Sequence, residues 1–206
     1  MPYSKVTLKN IKQDFGIKVI ENQKFFSKDI NKLTISDYLQ TNLEEFAPLA
    51  LSINTEKSRS EWIIAPILGE LRRILHKNIS LFSGTTFNVD QEQGLEGQCD
   101  YLISLNSEQF YITAPVIAIV EAKKENIISG LGQCIATMYA ANIFNKQENN
   151  TIDIIYGIVT TGTTWKFLKL ENNKAYIDID EYYLKEIEML LGILYFIINQ
   201  QQKIEK

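Results

Sequence analysis

Apolar and polar residues follow three rhythms along this chain. SDYLQTNLEEFAPLALSI opens with Ser36, a residue suited to capping, and then spaces its apolar residues at helical intervals. SRSEWIIAPILGELRRILHK carries the clearest amphipathic stripe: Trp62, Ile63, Pro66, Ile67, Leu71 and Leu75. Pro66 has no amide hydrogen to give, so it belongs in a first helical turn or at a kink. Beyond this helix the rhythm changes. ISLFSGTTFNVD, GQCDYLISL and PVIAIVEAKK read as three strands, the last two forming a hairpin through LNSEQFYITAP. NIISGLGQCIATMYAANIFNK is apolar around more than half its circumference, as expected of a helix covered on two sides. TIDIIYGIVTTG reads as a buried, β-branched strand and WKFLKLENNKAYIDI as an edge hairpin turning at Glu171-Asn172-Asn173. DEYYLKEIEMLLGILYFIINQQ reads as a long closing helix.

This order (helix, three strands, helix, strand, hairpin, helix) predicts an α/β fold with a mixed central sheet flanked by helices. The 206 residues suit a single domain: a helical N-terminal extension over 1–57, a core over 58–180 and a C-terminal helix over 181–206.

Composition narrows the class. Apolar residues make up 45%, enough for a core that needs no disulfide. Cys99 and Cys134 lack metal-ligand spacing and read as reduced thiols of a cytoplasmic protein, with a disulfide left open. MPYSKVTLKNIKQDFG has no apolar core, so no signal peptide is expected. The run Met189–Ile198 is too short for an ordinary transmembrane helix and suggests a buried helix or a homodimer contact. A formal net charge of -4 does not advertise nucleic-acid binding, so any phosphate-binding surface must be local.

The chemistry concentrates at one strand end. In IVEAKK, period-two alternation puts Glu121 and Lys123 on one face, roughly 7 Å apart. If the strand of GQCDYLI pairs with it, Asp100 meets Glu121 side by side. Two adjacent carboxylates repel unless a proton or cation sits between them. A hard divalent cation, Mg2+ or Mn2+, suits such oxygen ligands and would lower the pKa of a bound water. Lys123 could then orient or deprotonate that water, or stabilise developing charge. The plainer reading is that charged strand ends are common and Glu-x-Lys is a frequent tripeptide.

GQCDY, IVEAKK and SGLGQCIATMYAA, in that order, resemble the core of the PD-(D/E)XK restriction-endonuclease-like superfamily, particularly the nuclease domains of restriction-enzyme motor subunits and their stand-alone relatives. RSEWIIAPIL resembles that group's first helix, and GIVTTGTTWKFLKL its later strand and hairpin. The resemblance covers about residues 58–180 and departs at Cys99, where the superfamily's name has Pro. It implies a restriction-endonuclease-like fold and an Mg2+- or Mn2+-dependent endonuclease acting on DNA. Asp100 and Glu121 would be metal ligands, Lys123 the catalytic lysine, Glu61 a further acidic ligand with Glu70 as a weaker candidate, and Gln133 a site or nucleic-acid contact from the helix.

Other residues carry two readings each. Gly130 and Gly132 fit a phosphate cradle at a helix start or close packing, with packing favoured. Gln133 on its own could be site or surface. His76, the only histidine, fits a solvated last turn. Arg72, Arg73, Lys77 and Lys124 could touch phosphate or line a charged face. Trp165, Phe25-Phe26 and Tyr182-Tyr183 fit packing better than a stacking platform. Two other function classes stay open: a non-catalytic module of the same fold that binds nucleic acid or protein, and an assembly unit that dimerises through the C-terminal helix.

Overall fold

The computed structural model describes residues 2–26, 30–150 and 152–204, with the side chains of 202–204 excepted; residues 1, 27–29, 151, 205 and 206 of the segments above lie outside the described residues. One mixed sheet organises the chain. Its strands are β1 (Lys18–Gln23), β2 (Ser80–Thr86), β3 (Gln98–Ser104), β4 (Val116–Ala122), β5 (Ile154–Thr160), β6 (Thr164–Glu171) and β7 (Lys174–Asp178), in the spatial order β1-β7-β6-β5-β4-β3-β2. A two-residue strand, β8 (Tyr182–Tyr183), adds to β6. The helices are α1 (Leu8–Gln13), α2 (Asp37–Ile53), α3 (Glu56–Arg59), α4 (Ala65–Ile74), α5 (Ile127–Gln147) and α6 (Ile187–Ile204). The fold is therefore α/β, with parallel pairs (β4·β5, β1·β7) among antiparallel ones.

β4 lies at the middle of the sheet, and all seven of its residues are buried. Helix α5 packs on β4 and β5 from one face, and α6 reaches β4 from the other. A strand covered on both sides has no solvent face, so VIAIVEA runs without polar alternation until its glutamate. Helix α5 is itself covered twice, by the sheet and by α1 with the short 3-10 turn before it. Its length and mean hydropathy of 1.3 would suffice to cross a bilayer, but its buried surface faces β4, β5 and the N-terminal segment.

Residues 1–57 are not purely helical, because β1 pairs in parallel with β7 and becomes the sheet edge. The β6–β7 hairpin is consequently internal. KVIENQ hides this role: most of its side chains are exposed, so it shows no apolar period, and main-chain bonding to β7 recruits it. The hairpin does turn at Asn172 and Asn173, with φ of 49° and 60°, a left-handed geometry that asparagine tolerates.

The closing helix starts later than Asp180. Tyr182 first pairs with Trp165 across β8·β6 and stacks edge-on against Phe26 and Phe167, which delays the helix to Ile187. On α6, Leu190, Leu191, Ile193, Leu194, Ile197 and Ile198 are all buried by the chain's own residues. The extended segment around Asn31 crosses α6 at Gly192, where any Cβ would collide with the Asn31 carbonyl. Most of the apolar run that suggested a dimer contact is thus covered within the chain, with Phe196 left exposed.

Ser36 caps α2, accepting from the Leu39 amide at 3.2 Å. Between α3 and α4 the chain makes a π turn, Ser60–Ile64, closed by the Ala65 amide donating to the Ser60 carbonyl. Pro66 follows in the first turn of α4. A proline there cannot donate to the preceding turn and crowds it, so the widened π turn admits it without breaking the helix. The inserted residue also advances the buried stripe, so Ile64 and Leu68 join Ile63, Ile67, Leu71 and Leu75 in the core, and Trp62 is only half-buried.

Candidate functional site

The β3–β4 register pairs Tyr101 with Val120, and its continuation sets Asp100 beside Glu121. Asp100 is half-buried and its Oδ2 accepts from the Ala122 amide at 2.8 Å, which fixes the carboxylate against the end of β4. Glu121 is 2% exposed. Burial, then the charge of Asp100, pushes its carboxyl up to about 8 despite the pull of Lys123. The two carboxylates therefore crowd one point, and the buried one resists carrying a bare charge.

Lys123 follows on the same face. Its amide donates to the Thr160 carbonyl at 2.8 Å, extending the β4·β5 ladder one residue past β4. Its ammonium donates to Glu121 Oε1. Burial alone would lower the ammonium's pKa, but Glu121, Glu56 and Asp100 together hold it above the ordinary lysine value. The Lys123 stem passes over Gly130, where a Cβ would sit 2.7 Å from Val159 Cγ1 and 3.1 Å from Lys123 Cγ. Gly130 is therefore a packing glycine that leaves room for the site lysine. Gly132 is one too, since its Cβ would lie 2.5 Å from the Val6 carbonyl oxygen.

A cleft of about 360 Å³ opens beside this strand end. The helix side contributes Glu56, Lys57, Ser60, Glu61 and Ala65, and the sheet side Ser83, Gly84, Asp100, Tyr101 and Ala122. Glu61 thus shares the cleft with Asp100. Its carboxylate pairs at 3.6 Å with Lys57, one helical turn earlier, and is 55% exposed. Among the described residues, no three His, Cys, Asp or Glu side chains stand close enough together to hold one metal ion. Glu61 is accordingly not drawn into a three-acid cluster with Asp100 and Glu121; the π turn sets it on the far wall of the cleft.

Glu70 is separated from the site in role and partners. Its buried carboxylate accepts from the Ser36 amide and hydroxyl at 2.9 and 3.0 Å, and from Arg73 Nε and Nη2 at 2.9 and 2.7 Å. Arg73 chiefly, with Ser36, holds its pKa below the usual carboxylate value against the cost of burial. Gln133 is half-buried on α5, and among the described residues its side chain has no hydrogen bond to Asp100, Glu121 or Lys123.

The other candidates fall to structural roles. His76 is exposed just past α4, with φ of 54°. Arg72 donates to the Ile79 carbonyl at 3.2 Å. Trp165 is fully buried and its indole donates to the Gly162 carbonyl at 3.0 Å, so no face is left for stacking. Both cysteines are free and buried. Lys124 lines a second cleft, of about 540 Å³, with Arg59, Thr161 and Thr163. Arg59 escaped notice in the sequence, yet it ties α3 to the β5–β6 turn by donating to the Thr161 carbonyl at 2.9 Å. Tyr101 and Ser60, which join the two walls of the first cleft, escaped it as well. By strand alternation a tyrosine directly after Asp100 should leave its face, and no pattern in the chain pairs it with a helix.

Compared with models of known protein families and with characterised proteins, the chain matches none.

Proposed function

We propose that this chain is a metal-dependent phosphodiesterase acting on DNA, of the PD-(D/E)XK restriction-endonuclease-like kind. The observation that carries the proposal is the convergence of Asp100, Glu121 and Lys123 at the end of a strand buried on both faces. Two adjacent carboxylates, Asp100 lining an open cleft and Glu121 buried beside it, suit Mg2+ or Mn2+. Mg2+ keeps most of its waters and needs only one or two protein carboxylates, so a third acid is not required. Asp100 and Glu121 would hold the ion, which when bound supplies an acidified water and a counter-charge for phosphate.

The chain's own residues supply the rest. The Ala122 amide orients Asp100, and burial in β4 keeps Glu121 from turning away. Lys123, already donating to Glu121, is placed to donate to a phosphate oxygen and to offset its developing charge. Glu61 shares the cleft with Asp100, where it can accept from a water rather than from the ion itself.

A second reading, a non-catalytic binding module of the same fold, is favoured by the local charge. Around the strand end, Glu56, Glu61, Asp100, Glu121 and Glu125 outnumber Lys57, Arg59, Lys123 and Lys124, a poor balance for holding a polyanion without a cation or a basic partner. The experiment that separates the two is isothermal titration of Mn2+ into wild type and Asp100→Ala, followed by incubation of both with plasmid and single-stranded DNA. Uptake and cleavage by wild type alone support the enzyme. A wild type that neither binds Mn2+ nor cuts DNA leaves the binding module.

A further inference from the structure

We propose that Tyr101 is a positioning residue that locks the π turn carrying Glu61 onto the strand carrying Asp100. The inference rests on the metal reading of Asp100 and Glu121 and adds to it the device that sets the opposite wall of the cleft. Tyr101 is 2% exposed, and its hydroxyl meets Ser60 twice: it donates to the Ser60 carbonyl at 2.9 Å and lies 2.6 Å from the Ser60 hydroxyl. A phenol has one proton. Given to the carbonyl, it leaves the serine hydroxyl to donate in the second bond; given to the serine, it leaves the phenol bound to that hydroxyl, and either way the ring is tied to Ser60. The pairing spans strand and helix.

The carbonyl involved is the one that closes the π turn, since it also accepts from the Ala65 amide. Tyr101 thus bonds to the turn at the point where its hydrogen bonding departs from the α-helix. The residue after that carbonyl is Glu61, and Ser60, Glu61, Ala65, Asp100 and Tyr101 all line the same cleft. Ser83, opposite Tyr101 in the β2·β3 register, lines it too. The sheet wall and the helix wall come from distant parts of the chain, and the Tyr101–Ser60 pair is a direct polar link between them. Short π turns recur where a helix must re-aim a functional side chain. Pro66 accounts for the presence of the turn, and Tyr101 accounts for its alignment with Asp100. Residues that orient metal-site groups without touching the ion commonly change metal affinity by 10–100-fold.

Tyr101→Phe keeps the ring and removes only the hydroxyl. The test measures Mn2+ affinity by calorimetry and amide exchange of Ile64 and Ala65 in wild type, Tyr101→Phe, Glu61→Gln and the double variant, with Asp100→Ala as control. The expected result is exchange about fivefold faster at these two amides in Tyr101→Phe, the equivalent of one lost hydrogen bond. Mn2+ affinity should fall about tenfold, and Tyr101→Phe should cost nothing further once Glu61 is Gln. Faster exchange with unchanged Mn2+ affinity would reduce Tyr101 to a brace of the fold and overturn the proposal. So would equal losses in the presence and absence of Glu61. If wild type takes up no Mn2+, the metal reading fails and this inference falls with it; if wild type binds, Asp100→Ala does not, and Tyr101→Phe matches wild type, this inference alone fails.

Discussion

Glu70→Gln separates a carboxylate that holds the fold from the carboxylates proposed to do chemistry. Glu70 accepts four hydrogen bonds, two from Ser36 and two from Arg73, with its side chain 3% exposed. An amide retains one oxygen, so one acceptor edge becomes a donor edge facing donors. Two of the four bonds are then lost or turned repulsive. Bonds to a charged group are worth about 1.5–3 kcal/mol each, and the partners regain part of this because Arg73 is 59% exposed and can be resolvated. We expect a net loss of about 2–3 kcal/mol, or a fall in Tm of roughly 4–12 °C for a chain of this size. Urea denaturation at pH 7 would measure it. The sign with pH follows from the lowered Glu70 pKa: the carboxylate's contribution is present above the unfolded glutamate value of about 4.3 and is lost as pH falls through the folded value. The gap between wild type and Glu70→Gln should therefore narrow on acidification below that point. Mn2+ uptake by the folded variant should match wild type. A stability change under about 0.5 kcal/mol would refute the structural role of Glu70, and a lost metal site in an equally stable protein would place Glu70 in the chemistry.

Gly130→Ala should destabilise by about 1–3 kcal/mol through overpacking against Val159, and should weaken any Lys123-dependent activity more than its stability loss explains; thermal melts beside a cleavage assay test both. Gly132→Ala should cost a similar amount, about 1–3 kcal/mol, because the Val6–Thr7 backbone must retreat from α5. Limited proteolysis should then cut the N-terminal segment sooner, and an unchanged digestion pattern would count against that segment's role as a cover for α5. Glu121→Gln should fold at least as stably as wild type at pH 8, since it removes a buried charge, while Mn2+ uptake disappears; persistent uptake in calorimetry would remove Glu121 from the site. Trp165→Phe should lose about 1–3 kcal/mol from a vacated volume and an orphaned Gly162 carbonyl, with DNA affinity unaltered if the ring has no stacking role.

Much of this architecture could be read from local pattern. Seven uninterrupted buried residues in β4 mark a strand covered on both faces, and that same burial makes Glu121 conspicuous at its end. Period two is strict enough to put Lys123 on Glu121's face, and a hairpin between β3 and β4 is enough to bring Asp100 alongside. Ser36 as a cap, the twin asparagines as a turn and the double coverage of α5 rest on equally local rules. The edge strand β1 had no such signal, because its exposed side chains carry no period and its partner lies some 150 residues further along the chain. The roles of the acids also depended on the folded chain. Glu61 and Glu70 lie on the same helical stretch and are alike in the sequence. A π turn sets one on the cleft wall, and Ser36 and Arg73 bury the other in a structural network. A charge's function depends on which distant groups come within hydrogen-bonding reach, and periodicity cannot encode that. Tyr101 illustrates the same limit: its position in β3 follows from alternation, but its bond to Ser60 exists only because helix and sheet pack together.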